Sequence, residues 1–145
     1  MSLFTRLKSI KYYRRNIIDK QLNEQHGEDG FIIPITMTKD QITLKEQGQL
    51  KTARYQNNTY NYYRWYLTQT GELQLLHLHQ QKNDCTLLAS FDLKLKQHTL
   101  STSTPFHCGK DCYHAQLINS SNYITLAWAI SGPKKDLYIN TNYYW

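Results

Sequence analysis

Two pieces of sequence near the C-terminus decide the fold: HCGKDCY, His107 to Tyr113, and WAISGPKKDLYI, Trp128 to Ile139. In the second, a strand of branched and aromatic residues runs to Gly132-Pro133. Proline fixes φ and removes an amide donor, so the run must turn there. A further run, Leu137 to Tyr143, follows the charged tip Lys134-Lys135-Asp136. Side chains alternate across a strand, so Ile124, Leu126, Trp128 and Ile130 share one apolar face. Trp128 reads first as a core residue.

Working outward, the same period of two continues to the N-terminal side. Candidate strands are Tyr12 to Ile18, Phe31 to Thr38, Ile42 to Gly48, Leu50 to Tyr55, Tyr60 to Gln69, Leu73 to Gln80, Cys85 to Lys96, His98 to Thr104, Cys112 to Ile118 and Tyr123 to Ile130. Lys39-Asp40, Asn57-Asn58, Thr70-Gly71-Glu72, Lys82-Asn83-Asp84 and Ser120-Ser121-Asn122 supply turns, with asparagine chosen because it tolerates positive φ. Leu3, Leu7 and Ile10 have helical spacing and predict one or two turns of helix; a helix from Leu3 to about Leu22 is the alternative. Short strands joined by hairpins predict an all-β protein, a single antiparallel up-and-down β-barrel over residues 1–145. Closure removes the exposed edges that these strands would otherwise present.

Composition bounds the rest. A chain of 145 residues suits one domain. The apolar share leans on 12 Tyr and three Trp, which suit half-buried strands and cavity walls. No apolar run is long enough for a transmembrane helix. The basic N-terminus lacks the continuous apolar segment of a secretory signal, and three cysteines make an odd count. Reduced thiols and a cytoplasmic location are therefore expected. The net charge of +6 invites a nucleic-acid partner, but the middle of the chain is nearly balanced and carries no nucleic-acid-binding motif. That class is disfavoured.

Several constellations could carry chemistry. In Tyr60–Leu67 one face holds Tyr60, Tyr62, Arg64 and Tyr66, the other Asn61, Tyr63, Trp65 and Leu67. Neither face is wholly apolar, as befits a strand walling a ligand cavity; a sheet wrapped in aromatics on its outside is the competing reading. His77 and His79 share a face and could ligate a metal, but no third ligand is evident. In HCGKDCYH, strand parity separates Asp111 and Tyr113 from Cys112 and His114. That separation argues against a zinc site. A Cys-His nucleophile lacks an identifiable oxyanion hole. No catalytic or metal residue is assigned, and no cofactor is named.

The spaced features together resemble an uncharacterised family of small calycin-like, or lipocalin-like, β-barrels. The resemblance rests on the helix and aromatic-Arg strand of Leu3 to Arg15, with Tyr12 where Trp is usual. Glu46-Gln47-Gly48 and Tyr63-Arg64-Trp65 continue it; Phe91-Asp92 stands where the family has Phe-His. His107, Cys108, Asp111 and Tyr113, then Trp128, Gly132, Pro133, Lys135 and Tyr143, complete it. The resemblance implies a closed barrel in which Glu46, Asp111, Tyr113 and Lys135 meet inside or at one mouth. By fold-level analogy with calycins, it implies binding of a small apolar or amphipathic molecule. The expected ligand-binding residues are Tyr63, Trp65, Asp111, Tyr113, Trp128 and Lys135. Two other functions are compatible with the same residues: a packed barrel whose aromatic and basic surface meets a protein partner, and an enzyme using Asp111, Tyr113 and His107.

Overall fold

A computed structural model describes residues 1–79 and 84–145. One helix, α1 (Leu3–Leu7), precedes eleven strands: β1 (Tyr12–Asp19), β2 (Glu24–Met37), β3 (Gln41–Lys51), β4 (Gln56–Leu67), β5 (Glu72–His79), β6 (Asp84–Asp92), β7 (Thr99–Ser101), β8 (Phe106–Cys108), β9 (Asp111–Asn119), β10 (Ile124–Gly132) and β11 (Lys135–Tyr144). All described pairings are antiparallel. The order across the sheet is β6-β5-β4-β3-β2-β1-β11-β10-β9-β7, with β8 pairing on β9. The first strand thus joins the last, Tyr13 opposite Tyr143 and Arg15 opposite Thr141. The sheet's two ends, β6 and β7, approach each other, and the Ser103 amide donates to the Ser90 carbonyl across the seam at 3.3 Å. The result is an all-β, nearly closed antiparallel barrel, and no described helix is long and apolar enough to cross a membrane.

The short helix is correctly read. Ser2 caps it by accepting from the Thr5 amide at 3.1 Å, and Phe4 and Leu7 face inward and are buried. Arg6 ties it to the β9–β10 turn through the Asn119 side chain and the Ser120 and Ser121 carbonyls. Antiparallel alternation puts that turn at the end of the barrel where β1 begins and β11 finishes. There Phe4, Leu7 and Ile10 join Ile42, Leu73, Phe91, Leu100, Leu117 and Ile124 in the core. Burying each of these large side chains contributes about 1.5–3 kcal/mol. One end of the barrel is solid.

Boundaries differ from expectation in instructive ways. Gly48 does not end a strand, and Leu50 does not begin another: β3 runs through both, with Gly30 directly opposite Gly48 on β2. The glycines are needed for close approach. A Cβ on Gly48 would lie 2.5 Å from the Tyr13 hydroxyl and 2.4 Å from the Asp29 carbonyl oxygen, and one on Gly30 would meet the Tyr13 ring at 2.6 Å. Tyr13 lies across both. The turn expected at Asn57-Asn58 falls instead before them, where the Thr52 hydroxyl accepts from the Arg54 and Tyr55 amides, each at 3.2 Å; Asn57 and Asn58 pair with Leu50 and Gln49. Strand β6 stops at Asp92, whose carboxylate caps a 3-10 turn over Leu93–Leu95. Residues 106–113 form a small hairpin, His107 opposite Cys112 and Cys108 opposite Asp111. The Gly132-Pro133 turn shifts by one residue, since Gly132 still pairs with Lys135. The turn expected at Lys82-Asn83 lies outside the described residues.

Candidate functional site

Alternation on β1 sends Tyr13, Arg15 and Ile17 inward and Tyr12 and Arg14 outward. Arg15 therefore enters the barrel, while Arg14 stays in solvent beside Asp29. On β2 and β3 the inward positions include Glu28 and Glu46, which are 6% and 1% exposed. The guanidinium of Arg15 links all three strands. Nη1 donates to Glu28 at 3.2 Å, Nη2 to Glu46 Oε1 at 2.6 Å, and Nε to the Thr141 hydroxyl on β11 at 2.8 Å. Tyr143 donates to Glu46 Oε2 at 2.6 Å. Tyr13 and Thr59 both donate to Glu28 Oε2, Thr59 at 3.0 Å.

Every carboxylate oxygen in this cluster accepts a hydrogen bond. By formal charge the cluster holds one guanidinium and two carboxylates. Burial alone would pull Arg15 down, but Glu46, then Tyr143 and Glu28, hold its pKa well above the ordinary value. Burial pushes the hydroxyls of Tyr13, Tyr63 and Tyr143 above theirs. Glu28 adds to the effect at Tyr13, and Glu46 at Tyr63 and Tyr143. The tyrosines thus stay protonated, as donors, through the neutral range.

Beside this cluster lies a cavity of about 300 Å³. It occupies the half of the barrel away from α1. Leu44, Leu75, Leu126 and Ile130 supply apolar wall, and Arg15, Glu28, Glu46 and Thr141 form one polar pole. Of the residues expected to line a site, Tyr63, Trp65, Tyr113 and Trp128 all do so. Inward parity on β4 selects Tyr63 and Trp65, opposite Leu44 and Ile42 of β3. Tyr113 stands edge-on to Trp128, their ring centres 6.2 Å apart.

Asp111 and Lys135 are not part of the lining. They pair with each other at 3.2 Å, about a fifth and two-fifths exposed. The Asp111 hydrogen bond and the nearby Tyr113 raise the Lys135 pKa. A Cβ on Gly132 would sit 2.0 Å from Asp111 Oδ1, so the glycine makes room for this clip between β9 and the β10–β11 turn. The expected meeting of Glu46 with Asp111 and Lys135 thus does not occur: Glu46 joins Arg15 instead. His107 sits on β8, while Tyr113 faces the cavity. His77 follows Leu73 and Leu75 on the inner face, opposite Tyr63 and 5.4 Å from its ring. Burial and then His79 lower its pKa. Among the described residues no three His, Cys, Asp or Glu side chains gather as metal ligands.

Arg15 and Glu28 escaped the sequence reading as site residues, Arg15 because it sits in a run of basic residues that looks like a solvated face. Parity alone does not separate the two faces, since Tyr12, Arg14 and Ile18 repeat the pattern of Tyr13, Arg15 and Ile17; the partners Glu28 and Glu46 on β2 and β3 are what mark Arg15 as internal. Glu28 lies in a polar, glycine-containing stretch that carries no strand signal of its own.

No curated protein and no solved structure matches the chain. Residues 11–144 match a family of unknown function, DUF6314, and the chain belongs to that family.

Proposed function

We propose that this protein is a calycin-like carrier or sensor that binds one small amphipathic molecule inside its barrel, in a reducing compartment such as the cytoplasm. The observation that carries the reading is the cavity of about 300 Å³ with apolar walls and a single polar pole. Ligand pockets combine these elements, and this one is at the small end of their range of roughly 300–1,000 Å³. Two tryptophans and three tyrosines in the lining supply large rigid contact surfaces. Tyr63, Trp65, Tyr113 and Trp128 contact the ligand, while Asp111 and Lys135 brace the turn at the open end. The three free cysteines support the assignment of compartment.

Native mass spectrometry of the purified protein tests the reading. A small adduct, released on denaturation and excluded when Leu126→Trp fills the cavity, is the expected result. Identical binding of that molecule by the filled variant would place it outside the barrel and end the proposal.

A further inference from the structure

The cavity's pole has an unusual charge balance for a site built around an arginine. A lone buried guanidinium would recruit a carboxylate or phosphate, which it binds bidentately. Here that capacity is already taken. Two of the three nitrogens of Arg15 face Glu46 and Glu28, at 2.6 and 3.2 Å, and the third faces Thr141. Arg15, Glu28 and Glu46 are the charged side chains among the described residues lining the cavity. Their sum is one negative charge, walled by leucine, isoleucine and tryptophan. Asp111 and Lys135 do not alter it, since they neutralise each other outside the cavity.

Resting on the reading that the cavity binds a ligand, we infer that the ligand's polar end is a cation or strong hydrogen-bond donor, an amine or amidine rather than a carboxylate. An entering ammonium would bring the pole to neutrality while its chain lies against Leu44, Leu75 and Leu126. An entering carboxylate would place a third negative group beside one guanidinium, between apolar walls that screen charge poorly. The tyrosines agree with this sign of field: after burial, Glu46 is the next cause raising Tyr63, which faces the cavity. Glu28 Oε2 is already filled by Tyr13 and Thr59, but Glu28 Oε1 and both oxygens of Glu46 each accept one bond and can accept a second from an incoming donor. Trp65, Tyr63 and Trp128 add π faces that favour cations over anions.

The test is a matched series of octylamine, octanol and octanoate titrated into the full-length protein at neutral pH, where the first is cationic and the last anionic. The fluorescence of Trp65 and Trp128 reports entry. Octylamine is expected to bind at least about tenfold more tightly than octanoate, a difference of about 1.4 kcal/mol. Glu46→Gln removes the excess charge and should cut that preference about tenfold; Glu28→Gln removes the same charge should Glu46→Gln fail to fold. Octanoate binding as well as or better than octylamine overturns the charge inference while leaving the cavity reading intact. A preference unchanged in a folded variant overturns it equally. If none of the three binds, the cavity reading itself fails.

Discussion

Arg15 ties its own strand to β2, β3 and the C-terminal β11, and the cost of that arrangement sets its consequences. Taking three charged groups out of water costs several kcal/mol per ion, offset only when geometry and hydrogen bonds are good. Here all four carboxylate oxygens are satisfied, so the cluster is stable as a unit and fragile to loss of its centre. Arg15→Ala strands two buried carboxylates, 6% and 1% exposed, against apolar neighbours. The variant is expected to lose about 3–5 kcal/mol, read as a fall in the urea midpoint at neutral pH. A loss of less than about 1 kcal/mol, typical of a surface site, would mean that the cluster is not buried as described. Neighbouring Arg14 is the internal control, since it is three-quarters exposed beside Asp29.

Among elements, β2 and β3 depend on a contact that neither contains. Gly30 and Gly48 face each other, and the Tyr13 side chain of β1 lies over them on its way to Glu28. A methyl group at Gly48 has no room, because one of its obstacles is the backbone carbonyl of Asp29 at 2.4 Å. Gly48→Ala should destabilise by about 1–3 kcal/mol through overpacking, measured by thermal or urea unfolding. Tyr13→Phe in the same background should recover only part of the loss, since the hydroxyl is one obstacle of two; full recovery would contradict the backbone clash. These glycines also explain where strand boundaries were misread. Glycine weakens a strand locally and so reads as punctuation, yet here it is what a tyrosine from another strand requires. Conversely, Ile124 to Ile130 is legible because its own alternation states which face is buried, whereas Tyr60 to Leu67, with neither face wholly apolar, is legible as a strand but not for its inward side.

At the scale of the whole molecule, the barrel is closed firmly on one side and loosely on the other. The first and last strands pair along their full length, from Tyr12–Tyr144 to Asp19–Leu137. Between β6 and β7 the connection is short, with the Ser103–Ser90 bond across it. Local openings draw on regions with few hydrogen bonds and little buried apolar contact. Hydrogen exchange should therefore release the amides of β7 and the free edge of β6 first among the strands, and those of β1 and β11 last; uniform protection around the sheet would contradict an open seam. The sequence alone determined the all-β class, the hairpin succession and the short helix. Those properties are written in neighbouring residues, through the period of two and the chemistry of turns. Only the tertiary structure decided that Arg15, Glu28 and Glu46 meet inside, that Asp111 and Lys135 do not join them, and that an apolar cavity remains beside the cluster. A buried charge and a solvated one have the same local sequence; what separates them is partners brought from distant strands, and register supplies those only once the barrel closes.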